Sequence, residues 1–287
     1  MTGTIPMPNT PTTEPESAMP ILSVRALSKR YQGGTGDELV LEHVDLTVAQ
    51  GEFLCIVGPS GAGKTTLLRC MSGLLAPTSG AVFLSGERVD KPPARLAVVF
   101  QDYSRSLMPW MSVERNVMLP LRSKGMTKGE RGQRARAALD AVGLAGSRDQ
   151  YPWQLSGGMQ QRVAIARALA FAPDALLMDE PFASVDAQTR AELEDLILGV
   201  RDEFGVTVIL VTHDIDEAVY LGDHVAVLSG SPTRVREHIR VDLGRNRDQL
   251  TTKALPEFAA LRTRVLRLIR NDTTTEMSSN STNSDPV

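Results

Sequence analysis

One eight-residue segment, Gly58-Pro59-Ser60-Gly61-Ala62-Gly63-Lys64-Thr65, limits what this chain can fold into more than any other feature. It has the spacing G-x-x-x-x-G-K-T, in which glycines let successive backbone N–H groups curl around an anion. An apolar run, residues 53–57, precedes it, and residues 66–71 are typical of the first turns of a helix. Since a strand, a glycine loop and a helix N-terminus together form an anion site, the sequence predicts a phosphate-binding loop in an α/β domain.

Further apolar runs are typical of buried strands. They cover residues 96–100, 175–179, 207–212 and 224–228. Strands that are hydrophobic almost throughout predict a parallel sheet covered on both faces. Near the N-terminus, Val44, Leu46 and Val48 alternate with polar residues, which predicts a half-exposed antiparallel strand in a small β-layer.

Helices are indicated by their caps. Thr127 to Glu130 is a capping box, and residues of about 102–160 have the pattern of a helical insertion. Asp186 is the expected N-cap of a later helix that Gly205 ends. We expect its apolar stripe to be core; the stripe is formed by Leu193, Leu196, Ile197, Val200 and Phe204.

Two acids, Asp179 and Glu180, end the apolar run 175–179. In phosphate-loop NTPases an acid at this strand end holds Mg²⁺, and a second acid can accept a proton from an attacking water. Adjacent carboxylates at a buried strand end are costly unless a cation or another partner is present. Together with the loop, the pair predicts a nucleotide-binding ATPase or GTPase without deciding between them.

A second anion site is indicated by Leu155-Ser156-Gly157-Gly158-Met159-Gln160-Gln161-Arg162. A serine N-cap followed by two glycines exposes N–H groups at a helix start. One chain would then carry two phosphate sites of different construction, so we expect each to complete a nucleotide pocket on a partner chain.

This string resembles the signature motif of the ATP-binding-cassette (ABC) transporters. From about residue 22 to residue 229 the chain resembles their ATP-binding subunit. The resemblance implies an α/β fold with a RecA-like parallel-sheet core, an antiparallel β-layer and a helical subdomain. The implied ABC domain spans residues 21–240, with the helical subdomain at about 102–160.

The resemblance assigns ATP and Mg²⁺ to named residues. Gly61 and Gly63 would form the backbone cradle of the Walker A loop, within a nucleotide-binding set of Gly58, Pro59, Ser60, Gly61, Ala62 and Gly63. Lys64 would meet the β- and γ-phosphates, Thr65 would ligate Mg²⁺ and Thr66 would touch the α-phosphate. Asp179 resembles the Walker B acid that holds Mg²⁺.

Other positions match the family's catalytic motifs. Glu180 resembles the catalytic base, and Gln101 resembles the Q-loop glutamine that contacts Mg²⁺ and the attacking water. His213 resembles the switch histidine that contacts the γ-phosphate, and it follows a predicted strand at the edge where ligands bind in open sheets. Tyr31 resembles the aromatic residue that stacks on adenine. Asp186 resembles the D-loop aspartate, with service only as a helix N-cap as the alternative.

The implied mechanism uses two ATP molecules between two identical cassettes. Each nucleotide is held by the Walker A loop of one chain and by Ser156, Gly157 and Gly158 of the other. Residues 101–113, with their Leu-x-Pro-Trp core, resemble the nitrate/sulfonate/taurine importer group. That likeness implies separate permease subunits, an extracytoplasmic solute-binding protein and a place on the cytoplasmic side of the cell membrane. Trp110 could dock the permease or belong to the core of the insertion.

Composition limits the classes of partner that the chain can have and indicates the nature of its N-terminal residues. No stretch approaches the ~18 apolar residues of a membrane span, so other chains would have to cross a membrane. A net charge of −3 gives no case for nucleic acid. Cys55 and Cys70 lie in apolar segments and are expected to be buried thiols rather than a disulfide. Residues 1–20 lack a signal-peptide pattern and are expected to form a disordered arm.

Residues 234–270 carry ten basic and four acidic residues. We expect a basic C-terminal extension at 241–271 and a disordered tail at 272–287. The extension has an apolar stripe that consists of Phe258, Leu261, Val265, Leu268 and Ile269. Either its arginines contact anionic lipid or a partner, or the helix docks on the core with a solvated basic face.

The alternative hypotheses for the function belong to the same superfamily. They are an export or lipoprotein-release cassette, a soluble ABC ATPase of DNA repair or translation, and a regulator that binds nucleotide without hydrolysis. A single LSGG string and a single Walker A loop argue against fused soluble cassettes. The presence of Lys64, Ser156, Glu180 and His213 argues against a non-hydrolysing regulator. Nitrate, taurine, alkyl sulfonates and vitamin-precursor heterocycles remain candidate solutes.

Overall fold

The structure, a computed structural model, describes residues 20–33, 36–102 and 106–280, with side chains as far as residue 270. The expected N-terminal arm, apart from Pro20, lies outside the described residues, as do the last residues of the expected tail. Among the helices that are described, none combines the length and the apolar character needed to cross a membrane.

A small antiparallel sheet comes first in the chain. Its strands are β1 (Leu22–Gly33), β2 (Gly36–Val48), β4 (Ser79–Leu84) and β5 (Glu87–Arg88), in the order β2-β1-β4-β5. Val44, Leu46 and Val48 are buried and the residues between them are exposed. The predicted half-exposed β-layer is therefore confirmed.

The larger sheet consists of β3 (Phe53–Val57), β6 (Leu96–Val99), β7 (Ala175–Asp179), β8 (Thr207–Val211), β9 (His224–Leu228) and β10 (Val235–Arg240). Their order is β10-β9-β3-β8-β7-β6. Neighbours pair in parallel, except that β10 runs antiparallel to β9. The predicted parallel sheet is confirmed, but β6 and β8 end one residue earlier than expected, and Phe100 is 42% exposed.

Two hydrophobic cores lie on opposite faces of the larger sheet. Alternate residues of the wholly buried strand β3 enter them: Phe53, Cys55 and Val57 enter one, and Leu54 and Ile56 enter the other. The second core also takes in the β-layer and helix α1 (Lys64–Met71). Burial on both faces explains why these strands carry no polar alternation.

The helical insertion contains α2 (Val113–Met118) and α3 (Lys128–Ala141), which pack on each other and on α4 (Gly157–Ala170). Thr127 and Glu130 form the predicted capping box: the Thr127 side chain accepts from Glu130 N, and the Glu130 carboxylate accepts from Thr127 N at 2.8 Å. Trp110, just before α2, is 69% exposed, so it does not belong to the core of the insertion.

Helix α5 spans Ala187–Phe204 between the predicted Asp186 N-cap and Gly205 C-cap. Leu193, Ile197 and Val200 are buried as expected. The prediction that Phe204 belongs to the core is wrong, because its side chain is 46% exposed. It lies in the last turn of α5, and helical periodicity does not show where the neighbouring elements stop covering a helix.

The last two described helices are α6 (Ile215–Leu221) and a long helix α7 (Pro256–Asn280), which packs against α6 and β9. Phe258 and Val265 are buried, and the other members of the predicted stripe are partly buried against the same core. The apolar stripe therefore docks on the domain. Helix α7 continues past residue 272, where we expect the disordered tail to begin, as far as Asn280.

Candidate functional site

The phosphate loop joins β3 to α1, as the sequence predicts. Gly61 and Gly63 have φ values of +79° and +64°, in the left-handed region that favours glycine. A Cβ at Gly63 would also lie 2.7 Å from Val40 Cγ1, so no larger residue fits there. Thr233 also holds the loop, because its Oγ1 donates to the Ala62 carbonyl at 2.6 Å. The loop backbone is thus held in a curled shape before any ligand binds.

Lys64 begins helix α1 and lies against this loop. Its side chain is buried, and Nζ donates to the carbonyls of Gly58 and Pro59 at 2.9 Å each. Burial lowers the pKa of Lys64, and the negative charges of Glu180 and Asp179 oppose that shift. The ammonium group is therefore at the loop mouth, near two carboxylates.

Asp179 is the last residue of β7 and is only 6% exposed. Thr65 Oγ1 donates to Asp179 Oδ1 over 3.4 Å, which joins the end of the phosphate loop to the end of the strand. Burial raises the pKa of the Asp179 carboxyl, and the bond from Thr65 opposes that shift. A buried carboxylate beside a hydroxyl is a pair of hard oxygen donors.

Glu180 follows directly and has a positive φ of 43°. Its N–H donates to Val211 O at 2.8 Å, so hydrogen bonding to β8 continues one residue past the end of β7. One carboxylate oxygen, Oε2, lies 3.1 Å from His213 Nδ1 and 3.4 Å from Gln101 Nε2. Three residues that are far apart in the sequence therefore meet at one oxygen atom.

Tyr31, on β1, lies beside the first turn of α1. Its hydroxyl is 3.4 Å from Thr66 Oγ1, and its ring is 39% exposed with Lys29 Nζ 5.4 Å from the ring centroid. The structure thus places an accessible aromatic face next to the residue that follows the G-x-x-x-x-G-K-T segment.

Ser156 is the N-cap of α4, and its side chain accepts from Met159 N at 3.3 Å. Ser156 and Gly157 are exposed, whereas Gly158 is buried. A Cβ at Gly158 would lie 2.4 Å from Thr189 Cγ2, so α4 and α5 approach closely there. Within the described residues, the hydrogen bonds of Ser156 stay inside α4 and do not reach the phosphate loop of the same chain.

Asp186 caps α5 with both carboxylate oxygens. Oδ1 accepts from Thr189 N at 2.9 Å, and Oδ2 accepts from Thr189 Oγ1 at 2.7 Å. These bonds lower the pKa of Asp186. The predicted helix-capping function is confirmed, and any contact with nucleotide would be additional to it.

A polar cluster of Arg190, Asp214 and Glu217 lies next to His213, and the sequence analysis does not predict it. Arg190 of α5 forms ion pairs with Asp214 and with the buried carboxylate of Glu217. Residues Asp214 and Glu217 have the N-cap and N3 spacing of a helix start, which was the one available signal. Their pairing with α5 depends on tertiary structure and leaves no mark in the sequence.

A phosphate loop between a parallel strand and a helix, with acids at the end of a neighbouring strand, defines a phosphate-loop nucleotide-binding domain. Residues 41–183 match the family model described as ABC transporter. An uncharacterised ABC transporter ATP-binding protein of Methanocaldococcus jannaschii is 46% identical over 88% of this chain and 92% of its own length. The chain therefore belongs to the ABC transporter ATP-binding proteins and is an ABC-type ATPase.

Other similar proteins carry more specific names. An aliphatic sulfonates import ATP-binding protein of Burkholderia cenocepacia is 46% identical over 87% of both chains. A nitrate import ATP-binding protein of Synechocystis is 38% identical over 89% of this chain and 97% of its own. Among solved structures, a dimeric ATP-binding cassette in a post-hydrolysis state with ADP and Pi has a TM-score of 0.67 at 33% identity. It covers 77% of this chain and 99% of its own.

Proposed function

We propose that this chain is the motor subunit of an ABC importer and hydrolyses ATP at the site formed by Gln101, Glu180 and His213. The observation that supports this most directly is the convergence of the Gln101 and His213 side chains on Glu180 Oε2. A carboxylate held by two polar groups at the carboxyl end of a parallel sheet can accept a proton from a water molecule.

ATP fits the loop that precedes α1. The curled backbone with Gly61 and Gly63 offers N–H groups to the phosphates, and Lys64 offers a positive charge beside them. On binding, phosphate oxygens would replace the Gly58 and Pro59 carbonyls as acceptors for Lys64. The exposed ring of Tyr31 would stack on adenine, next to Thr66 at the α-phosphate.

Mg²⁺ fits the donor pair of Thr65 and Asp179, and Gln101 lies against Glu180, the residue that follows Asp179. The described residues contain no group of three or more His, Cys, Asp or Glu side chains suited to a metal. That is compatible with Mg²⁺, which commonly takes one or two protein ligands and fills its remaining positions with water and phosphate oxygens. When bound, the ion would offset the negative charge of the phosphates.

In the hydrolytic step, Glu180 would take a proton from water while the water oxygen bonds to the γ-phosphorus. The bond between that phosphorus and the bridging oxygen breaks, and ADP leaves with the electron pair. His213 and Gln101 keep Glu180 in place, and His213 additionally contacts the γ-phosphate. Lys64 stabilises the charge that develops on the leaving group.

A second copy of the chain would complete each site. Ser156 and Gly157 are exposed at the start of α4, and the hydrogen bonds of Ser156 to the described residues stay within that helix. The buried Gly158 contributes backbone and the close approach to α5 rather than an exposed surface. Asp186 lies at the start of α5, beside that approach. The dimeric cassette that is similar to this chain supports a homodimer. We place two ATP molecules between its copies.

Import of a small anion of the sulfonate, taurine or nitrate type is the transport function that we propose. The names of the sulfonate and nitrate relatives support it. Trp110 is 69% exposed and lines a groove of about 650 Å³ with Met111, Met118, Arg115 and Arg131. We place the permease in this groove, which puts the chain at the cytoplasmic face of the membrane, with a solute-binding protein on the far side of the complex.

The test of the hydrolytic site is Glu180→Gln, which keeps the shape of the side chain and removes its basicity. We expect kcat for ATP hydrolysis to fall by at least about 100-fold, because the general base is lost. Since the binding groups are intact, ATP should drive the variant into a stable dimer, measured by size-exclusion chromatography with light scattering.

Glu203→Gln is the matched control, because Glu203 is exposed near the end of α5, away from the nucleotide loop. It should hydrolyse ATP like the parent. Parental turnover in Glu180→Gln would show that Glu180 is not the base, and ATP-independent behaviour of its oligomeric state would argue against the shared nucleotide sites.

A further inference from the structure

Arg190 projects from α5 towards two carboxylates at the start of α6. Its Nη1 lies 3.2 Å from Asp214 Oδ2, and its Nε lies 3.5 Å from Glu217 Oε1. Asp214 directly follows His213 in the chain. One guanidinium group therefore joins α5 to the loop that carries the switch histidine.

Burial makes this contact consequential. The side chain of Glu217 is 5% exposed, and its other oxygen accepts from Thr212 Oγ1 at 2.7 Å. Among the described residues, Arg190 is the cation that forms an ion pair with Glu217. Both oxygens of the Glu217 carboxyl therefore lie beside polar partners, Oε2 at Thr212 and Oε1 at Arg190.

The same cluster fixes both neighbours of His213. Thr212 Oγ1 accepts from Asp214 N at 3.0 Å and donates to Glu217. Asp214 Oδ1 accepts from the N–H groups of Asp216 and Glu217 at 2.9 and 3.2 Å. The His213 side chain itself is 63% exposed. Its position is therefore set by its backbone and not by side-chain packing.

Arg190 is also tied to the loop before α5. Its N–H donates to Asp186 O at 2.9 Å, within the first turn of the helix. The Asp186 side chain caps that turn through Thr189. Asp186 is thus connected to the segment around His213 through Arg190.

We propose that Arg190 is a positioning residue that holds His213 in register with Glu180 through Asp214 and Glu217. This rests on the proposed function of Glu180 and His213. Arg190 acts through the backbone of His213, so its loss should impair the chemical step and leave nucleotide binding intact.

The test is Arg190→Met, which keeps most of the aliphatic stem and removes both ion pairs. We expect kcat to fall by at least about tenfold, since misplacement of a catalytic group by 1 Å can cost about 100-fold, while KM for ATP stays within about twofold. Arg190→Lys retains the charge but not the forked geometry, so its kcat should lie between those of the parent and of Arg190→Met. Arg88→Met is the control, because Arg88 forms an exposed ion pair with Asp90 on β5.

A double-mutant cycle separates positioning from simple stabilisation. In a His213→Ala background, Arg190→Met should lower kcat no further, because its effect passes through the missing ring. Full additivity overturns the proposal, as does a parental kcat in a folded Arg190 variant. If Arg190→Met does not fold, the same cycle is run with Arg190→Lys.

The two proposals fail in distinguishable ways. If Glu180→Gln hydrolyses ATP like the parent, the proposed function is wrong whatever Arg190→Met does. If Glu180→Gln is inactive and dimerises with ATP, but Arg190→Met turns over normally, only the positioning proposal falls.

Discussion

Gly158 lies where α4 meets α5, and no space exists there for a side chain. The Cβ of an alanine would lie 2.4 Å from Thr189 Cγ2, well inside van der Waals contact. We expect Gly158→Ala to lower the free energy of unfolding by about 1–3 kcal/mol, the usual cost of overpacking, measured by urea denaturation. Thr189→Ser removes the clashing methyl group and keeps the hydroxyl that bonds Asp186, so it should restore stability in the double variant.

Gly199→Ala is the matched control within a helix. Nothing lies within 4 Å of a Cβ at Gly199, in the middle of α5. The substitution should raise the free energy of unfolding by about 0.5–1 kcal/mol through helix propensity alone. A Gly158→Ala variant that is as stable as Gly199→Ala would contradict the close approach of α4 and α5.

Glu217 should make stability depend on pH. Burial raises the pKa of its carboxyl from an ordinary 4.5 to about 7, with Asp214 and Glu194 adding to the shift and Thr212 and Arg190 opposing it. The folded protein thus holds this proton more tightly than the unfolded chain. The contribution of Glu217 is most favourable below about pH 4.5 and is lost as pH rises through about 7.

Glu217→Gln removes that titration. Between pH 5 and pH 8 the unfolding free energy of the variant, relative to the parent, should therefore rise by up to about 3 kcal/mol. Urea denaturation at a series of pH values measures it. Parallel pH curves for the two proteins would show that Glu217 does not titrate in this range.

Among the elements, the C-terminal segment before α7 supports α5. Gln249 Nε2 donates to Glu194 Oε2 and Asp195 Oδ1 at 3.0 Å each, and Lys253 Nζ pairs with Glu194 at 3.2 Å. Glu194 is only 2% exposed. One basic residue of the extension, Lys253, therefore neutralises a buried acid of the domain, which favours the docked alternative over a lipid-binding surface for this segment.

Sequence patterns predicted those elements whose determinants are local. Caps such as Thr127, Ser156 and Asp186 can be recognised from patterns of four residues. The buried strands can be recognised from their continuous hydrophobicity. The failure at Phe204 has the opposite cause, since exposure at a helix end depends on where other elements stop. Local patterns carry no such information.

At the scale of the molecule, the sequence predicted the gathering of acids and histidine because parallel strands place their carboxyl ends at one edge. It could not predict the arginine behind them. The distance between Arg190 and Glu217 depends on how α5 and α6 cross over the sheet, and no residue type at either position requires it. The proposed assembly with other chains likewise depends on exposed surfaces such as that of Trp110. Local sequence patterns do not show which residues a fold leaves exposed.

Trp110→Ala tests the assembly. If the groove at Trp110 docks a permease, this variant should recover at least about fivefold less of a multi-span partner from solubilised native membranes than the parent, because an exposed aromatic anchor dominates such contacts. Leu250→Ala, at an 81% exposed apolar residue of the C-terminal segment, should recover it normally. Absence of any membrane partner for the parent would favour a soluble ABC ATPase.

The two buried cysteines have a practical consequence. Burial raises the pKa of Cys70 to about 11 and that of Cys55 well above its usual value, so neither thiol forms an accessible thiolate at neutral pH. A single cysteine introduced at an exposed site, such as position 203, would be the fast-reacting thiol of the native chain. Maleimide dyes or spin labels could then report the separation of two subunits during turnover without prior removal of the native cysteines.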